Sequence, residues 1–352
     1  MKRLQQAMRV LFAVGIAVLF LLPVSRSKAE SSARFSASLY AAAYGEQVTV
    51  KAQVTSEQTS EWILKTADGQ ELGRESAGGG KTGVSFTFPV TRALPHCTVL
   101  QLFCADSDAP LCEAQLFCDQ RRNGALHQVA TDRKCVAITF DAANSPANTD
   151  KILDLLDRYD AKATFFVIGE FALVHPDVCE RIVARGHELA SHSYEHLEMR
   201  TATLEQAYKS LTRTDALLRT FNGDTRVLYR PPSGASTFRD RAIARGLGTE
   251  VIQWSVDSGD GFADSTESGV QYRIKTHLHN GGIVLMHVYG KHTMKALETL
   301  LPYYQQQGYA FVTVSELLLN GESYIDAYGT QRALHTDAAR VAPIAEKLSE
   351  GR

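Results

Sequence analysis

Asp141, the His192/His196 pair, Arg230, the acids Asp257 and Asp260, and His287 are the residues whose types and spacing could do chemistry. Two imidazoles four residues apart can share one face of a helical turn and grip one metal ion. The pattern is not that of the zinc proteases, because Glu195 stands directly before the second histidine. Carboxylates and imidazoles move protons at neutral pH, and an arginine beside a carboxylate holds it ionised. No G-x-S-x-G nucleophile elbow occurs, which argues against a serine hydrolase. His277, His279 and His292 read as surface residues.

A shared rim requires elements that end together. From Lys134 onward, short apolar runs alternate with amphipathic segments. The runs are 135–140, 163–168, 187–190, 227–229, 251–254, 283–287 and 310–314. Helices are predicted at 150–159, 176–185, 203–218, 237–245, 269–279 and 293–306. Thr203 with Gln206 makes a capping-box pair, and Pro176 opens its helix as Gly186 follows it. Strand–helix alternation on this scale signals a parallel β/α barrel or an open parallel sheet. In a barrel the chemistry sits at the C-terminal strand ends. Asp141, His192, Arg230, Asp257 and His287 all fall at or just beyond such ends.

Residues 35–120 have a different rhythm: short alternating strands such as 47–54, 83–90, 97–104 and 111–118, with turn signals at Asp68-Gly69 and Gly78–Gly80. That is the pattern of an antiparallel sandwich of roughly immunoglobulin size. Residues 121–133 are polar and read as a linker before the 134–320 domain. The tail 321–352 is polar and Ala-rich, with the pattern of one helix.

Residues 1–29 carry five basic residues and no acidic one, around an apolar run from Val10 to Val24, then Ser27-Lys28-Ala29. Basic start, apolar stretch and small-residue exit form a signal-peptide plan, with an uncleaved anchor as the alternative. Either reading puts the folded part outside the cytoplasm, and any membrane contact would run through that segment. Export suits the crowding of Cys97, Cys104, Cys112 and Cys118. Four cysteines allow three pairings. A hairpin turning at 105–111 favours the nested one, Cys104 with Cys112 and Cys97 with Cys118. A zinc ribbon competes, but it wants C-x2-C pairs, which these spacings are not. The 352 residues include 37 Lys and Arg against 39 Asp and Glu, a net charge of −2. No basic excess points to nucleic acid.

The same residues carry a family resemblance over about residues 130–320. Ala137–Asp141, Lys162–Gly169, His192–His196, Arg230–Gly234, Trp254–Asp260 and Leu285–His287 stand in the order expected of the polysaccharide deacetylases, carbohydrate esterase family 4, also called the NodB-homology domain. The resemblance implies a distorted (β/α)7 barrel that removes acetyl from N-acetylated sugars. It implies Asp141 as the base, His192 and His196 as ligands of a divalent metal such as zinc, and Arg230 as the partner that aims Asp141. His287 would be the acid that protonates the leaving amine, with Asp257 tuning it. Leu285 would line the acetyl pocket, and Ser233 and Trp254 would contact substrate. A zinc-held water has a pKa near ~7 rather than ~15.7, which supplies hydroxide at neutral pH.

Three positions depart from the family pattern. Ala142 stands where the third metal ligand is usual, leaving Asn144 as a substitute donor. Ser233 stands where a tyrosine is usual. Gly261 and Phe262 stand where a tryptophan follows Asp260. The Phe-Asp-Ala-Ala wording resembles exported deacetylases of spore-forming bacteria, which implies cell-wall peptidoglycan as substrate. The competing expectation is a carbohydrate-binding member of the family with little or no catalysis.

Overall fold

The computed structural model describes residues 31–120, 124–143, 145–223 and 227–334. The predicted signal segment and Asn144 lie outside the described residues.

The N-terminal region is built from β1 (Ser32–Phe35), β2 (Leu39–Ala43), β3 (Gln47–Ser56), β4 (Ser60–Thr66), β5 (Glu71–Ala77), β6 (Gly80–Pro89), β7 (Cys97–Cys104) and β8 (Cys112–Asp119). Two sheets, β1-β3-β6 and β2-β8-β7-β4-β5, face each other across Val50, Trp62, Leu64, Phe86, Leu100 and Leu116. Strict alternation along β3 buries every second residue, as a strand with one wet face requires.

The expected disulfides are not formed: all six cysteines are free thiols. The β7/β8 register sets Leu102, not Cys104, opposite Cys112, and Phe117 opposite Cys97. The hairpin is therefore two residues out of the expected register. Side chains alternate faces along a strand. Cys118 consequently enters the sandwich core, while Cys97 faces the second domain from the other side of the sheet.

The second region centres on β10 (Cys135–Ala142), every residue of which is buried. Parallel neighbours β11 (Ala163–Val167), β12 (Glu188–Ser191), β13 (Val256–Asp257) and β14 (Ile283–His287) give the order β12-β11-β10-β14-β13, with β15 (Ala310–Phe311) on β10. The sheet curls on through single bridges, Ser191 to Tyr229 and Tyr229 to Val251. The result is a curled α/β sheet of distorted-barrel type in which 227–229 and 251–254 contribute bridges rather than full ladders. The apolar faces of the helices Thr149–Arg158, Pro176–Ala184 and Thr293–Gln306 cover its outside. The capping box on Thr203 is present, opening a helix that runs Leu204–Asn222.

Two stretches differ from expectation. Polarity marks 121–133 as a linker, yet Leu126 and Val129 are buried, and β9 (Gln128–Val129) pairs with the last strand among the described residues. The described part of the tail is not helical. It forms a hairpin, β16 (Ser323–Ile325) with β17 (Thr330–Ala333), and β17 takes β9 as its other neighbour. The partner strand supplies the ladder bonds that a polar segment cannot obtain from apolar patterning alone.

The sandwich rests directly on the second region. Phe117, Leu39 and Ala41 pack against the helices Leu204–Asn222 and Phe238–Gly246. Asp119, fully buried, pairs with Arg241 at 3.3 Å and Arg245 at 2.5 Å. Among the described residues, no helix is long and apolar enough to cross a membrane.

Candidate active site

Register brings the site together. Asp141 at the end of β10 is paired directly with His287 at the end of β14. Adjacent strands lie about 4.8 Å apart, so the carboxylate and the imidazole rise side by side from the same sheet end. Thr139 and Leu285, two residues below them, are likewise register partners. Buried Leu285 thus gives this face an apolar floor.

Arg230 donates from Nη1 to Asp141 Oδ1 at 2.8 Å and from Nη2 to the Gln253 carbonyl at 3.2 Å. Its guanidinium lies 4.0 Å over the Phe166 ring and 5.7 Å from that of Trp254. Burial opposes the charge on Asp141. The surrounding His192, Arg230 and His287 outweigh it and hold the carboxyl below its ordinary range. Asp141 is thereby kept ionised, the state a general base needs.

His192 and His196 follow β12 on a loop rather than on the helical turn that would align them. Ser193 (φ 66°) and His196 (φ 57°) both adopt left-handed backbone there, a strained arrangement of the kind found at functional sites. The two rings meet edge-on at 5.1 Å. His192 is buried and bonds the Arg230 carbonyl through Nδ1 at 2.9 Å. A carbonyl only accepts, so Nδ1 carries the proton. Burial pushes the pKa of His192 down to about 4 against the pull of Asp141. The ring is therefore neutral, with a bare Nε2 lone pair 3.5 Å from Asp141 Oδ2. A lone pair held against a carboxylate suits a cation, and exposed His196 adds a second nitrogen donor. Position 142 supplies no third donor. Ala142 is packed in the apolar core beside Phe140 and Val167. Among the described residues, no three His, Cys, Asp or Glu side chains form a metal-holding group. The described donors suited to the ion are the two histidines, where catalytic zinc centres use three protein ligands.

His287 is positioned by Asp260, not by Asp257. Its Nδ1 lies 2.8 Å from Asp260 Oδ1, and its backbone N–H donates to Oδ2 at 2.8 Å. Ser258 and Thr293 hydroxyls donate to the same carboxylate, at 3.0 and 2.5 Å. Asp257 sits beside Leu285, below His287, and accepts from the Gly259 N–H in a turn. Three further residues lift the chain to the level of the imidazole. The loop comes close enough that any Cβ at Gly261 would lie 2.9 Å from His287 Cε1. Burial lowers the pKa of His287, but the hydrogen bond and charge of Asp260, with Asp141, raise it above the ordinary histidine value overall.

A methyl group at Gly290 would collide with the Thr293 hydroxyl and lie 2.6 Å from Asp260 Oδ2. Gly290→Ala is therefore expected to prise Thr293 from Asp260 and cost about 1–3 kcal/mol. Thermal unfolding checks this, and an unchanged melting temperature would contradict the close approach.

Ser233 lies exposed in the turn after Arg230 with φ 54°. Trp254 is half-buried, and its carbonyl accepts from His127 Nδ1 at 3.0 Å. Pattern reading overlooked Gln253, Phe166 and Thr293. Phe166 had a signal in its place in the Lys162–Gly169 segment, as Asp260 had in Trp254–Asp260.

The polysaccharide deacetylase profile matches residues 128–252. The peptidoglycan-N-acetylglucosamine deacetylase of Bacillus cereus is 34% identical over 196 residues, which cover 54% of this chain and 91% of that protein. The chain belongs to the polysaccharide deacetylase family. Another relative is the peptidoglycan-N-acetylglucosamine deacetylase PgdA of Listeria monocytogenes. It is 34% identical over 201 residues, covering 56% of this chain and 42% of that protein. The chain thus spans less than half the length of that relative. Among solved structures, a Bacillus anthracis member described as a family pseudoenzyme is similar with a TM-score of 0.52 and 26% identity, over 62% of this chain and 74% of that one.

Proposed function

We propose that this chain is an N-deacetylase of the cell envelope, hydrolysing the acetamide of N-acetylated sugars in peptidoglycan. The observation that carries this reading is the register pairing of Asp141 with His287, each with its own charged partner. A base and an acid side by side are what amide hydrolysis requires, and a glycan-binding domain has no use for them. An extracytoplasmic site of action follows from the substrate.

Asp141, ionised and aimed by Arg230, takes the proton of an attacking water. His287 bonds Asp260 through Nδ1, so Nε2 faces outward and, protonated, delivers a proton to the leaving amine. Leu285 forms the floor for the acetyl methyl. His192 and His196 would hold a divalent ion, zinc by donor type, which when bound supplies Lewis-acid stabilisation of the developing oxyanion.

The acid must be protonated to work, so activity falls as pH rises through the pKa of His287. That basic limb is expected above the ordinary histidine value. Asp260, Asp141, Arg230 and Tyr289 face the ring, and Asp260 contributes most of the raising. Asp260→Asn should move the limb to lower pH, whereas an unmoved limb would remove His287 from the acid role. The same raised value contributes stability that is complete below the unfolded histidine pKa and is lost as pH rises through the folded one.

A second reading, glycan binding without turnover, is favoured by Ala142 in the apolar core. Acetate release from intact peptidoglycan separates the two. Release that stops with chelator and returns with zinc is the expected result. No release under any divalent metal, from folded protein, would overturn the enzyme reading.

A further inference from the structure

Beside His287 stands a residue that none of these roles uses. Tyr289 follows the end of β14 by two residues, and half its surface is exposed. Its ring lies 5.0 Å from the His287 ring at a tilt of 44°. The turn that carries it is fixed: the Gly290 N–H donates to the His287 carbonyl at 3.1 Å, and Gly290 is pressed against the Asp260 carboxylate. The loop at Gly261 also comes close to the imidazole, near enough that a Cβ there would lie 2.9 Å from Cε1, and it leads into Phe262, also half-exposed. Two large half-exposed rings therefore belong to the two loops that approach the proposed acid. Phe262 is backed by the Arg273 guanidinium at 5.3 Å.

Exposed aromatic surface around a polar centre marks a binding site. A tyrosine suits an amphipathic partner, offering an apolar face and a polar tip. A pyranose ring is such a partner, with C–H groups on its faces and hydroxyls around its edge. The acid protonates the amine side of the acetamide, so the ring beside it is the sugar that carries the leaving nitrogen.

We propose that Tyr289 is a substrate-positioning residue, the platform on which the pyranose bearing the scissile acetamide stacks, with Phe262 as a second wall. This rests on the deacetylase reading. Burial and the nearby Asp141 and Asp260 carboxylates raise the pKa of the phenol. It remains protonated and can donate to a sugar hydroxyl while its face stacks.

The test is equilibrium binding of an N-acetylglucosamine tetramer, by calorimetry, to the full chain carrying Asp141→Asn, in which turnover is expected to be slowed enough for binding to be read. Adding Tyr289→Ala is expected to weaken binding about tenfold, the scale of losing one aromatic anchor. Tyr289→Phe, which keeps the ring, should retain most of the affinity. Tyr289 is half-exposed, and circular dichroism checks that both variants fold. Equal affinity for the Ala and parent proteins would overturn the platform and leave the deacetylase reading standing. Absence of tetramer binding by the parent, together with absence of acetate release by the unsubstituted chain, would bring down both.

Discussion

Asp141→Asn should lower acetate release by about 10²–10⁴, the usual worth of a positioned general base. The substitution keeps size and one acceptor oxygen, so Arg230 Nη1 can still donate to position 141. It removes the negative charge that the buried guanidinium faces at 2.8 Å. Arg230 has no exposed surface and, among the described residues, no second carboxylate in contact. Breaking a buried ion pair from one side leaves an uncompensated charge and typically costs about 3–5 kcal/mol. The Asn side chain offsets part of this by remaining polar. A large kinetic loss should thus come with a lower melting temperature, while the far-ultraviolet circular dichroism stays native. Unchanged turnover would remove Asp141 from the base role and with it the proposed mechanism.

The largest effect on stability is expected away from the site, at Asp119. This carboxylate is wholly buried between the sandwich and the helix Phe238–Gly246, where Arg241 and Arg245 both reach it. Arg245 also pairs with Glu250 at 3.1 Å and bonds the Gly124 carbonyl. Asp119→Ala removes one anion shared by two nearly buried cations, so a loss of about 3–5 kcal/mol is expected. The helix it anchors begins just after the Arg230-Pro-Pro-Ser-Gly turn. Loosening it should free the sandwich and disturb the Arg230 side of the site together. Differential scanning calorimetry would then resolve two transitions in place of one cooperative unfolding. A single transition at the original temperature would show that apolar packing around Phe117 alone holds the two regions.

How much of this was legible beforehand depends on the range of each interaction. Asp141, Arg230 and His287 stand at the ends of short apolar runs, and the position of a polar residue relative to its own run is local information. The alternation of runs and helical segments likewise reports which face each segment buries. The α/β class, and the meeting of Asp141, Arg230 and His287 at one end of the sheet, followed from that.

The errors share one cause. Asp257 and Asp260 are three residues apart in one loop, and only the climb of that loop past Leu285 decides which carboxylate meets His287. Cys97 and Cys118 look pairable along the chain. A register two residues from the expected one, together with strand alternation, puts them on opposite faces of a sheet. Residues 126–129 and 323–333 are too polar or too short to announce strands, and they become strands because each supplies the other's backbone partners.

The sequence by itself determined the order of elements, the family and the chemical types gathered at one rim, because these rest on covalent neighbours and on the burial pattern of each segment. The tertiary structure alone decided which carboxylate tunes the acid, that Ala142 turns into the apolar core, and that the sandwich is clamped through Asp119. Those outcomes depend on register, loop path and the packing of one region on another, and such long-range geometry is set only when the whole chain has closed on itself.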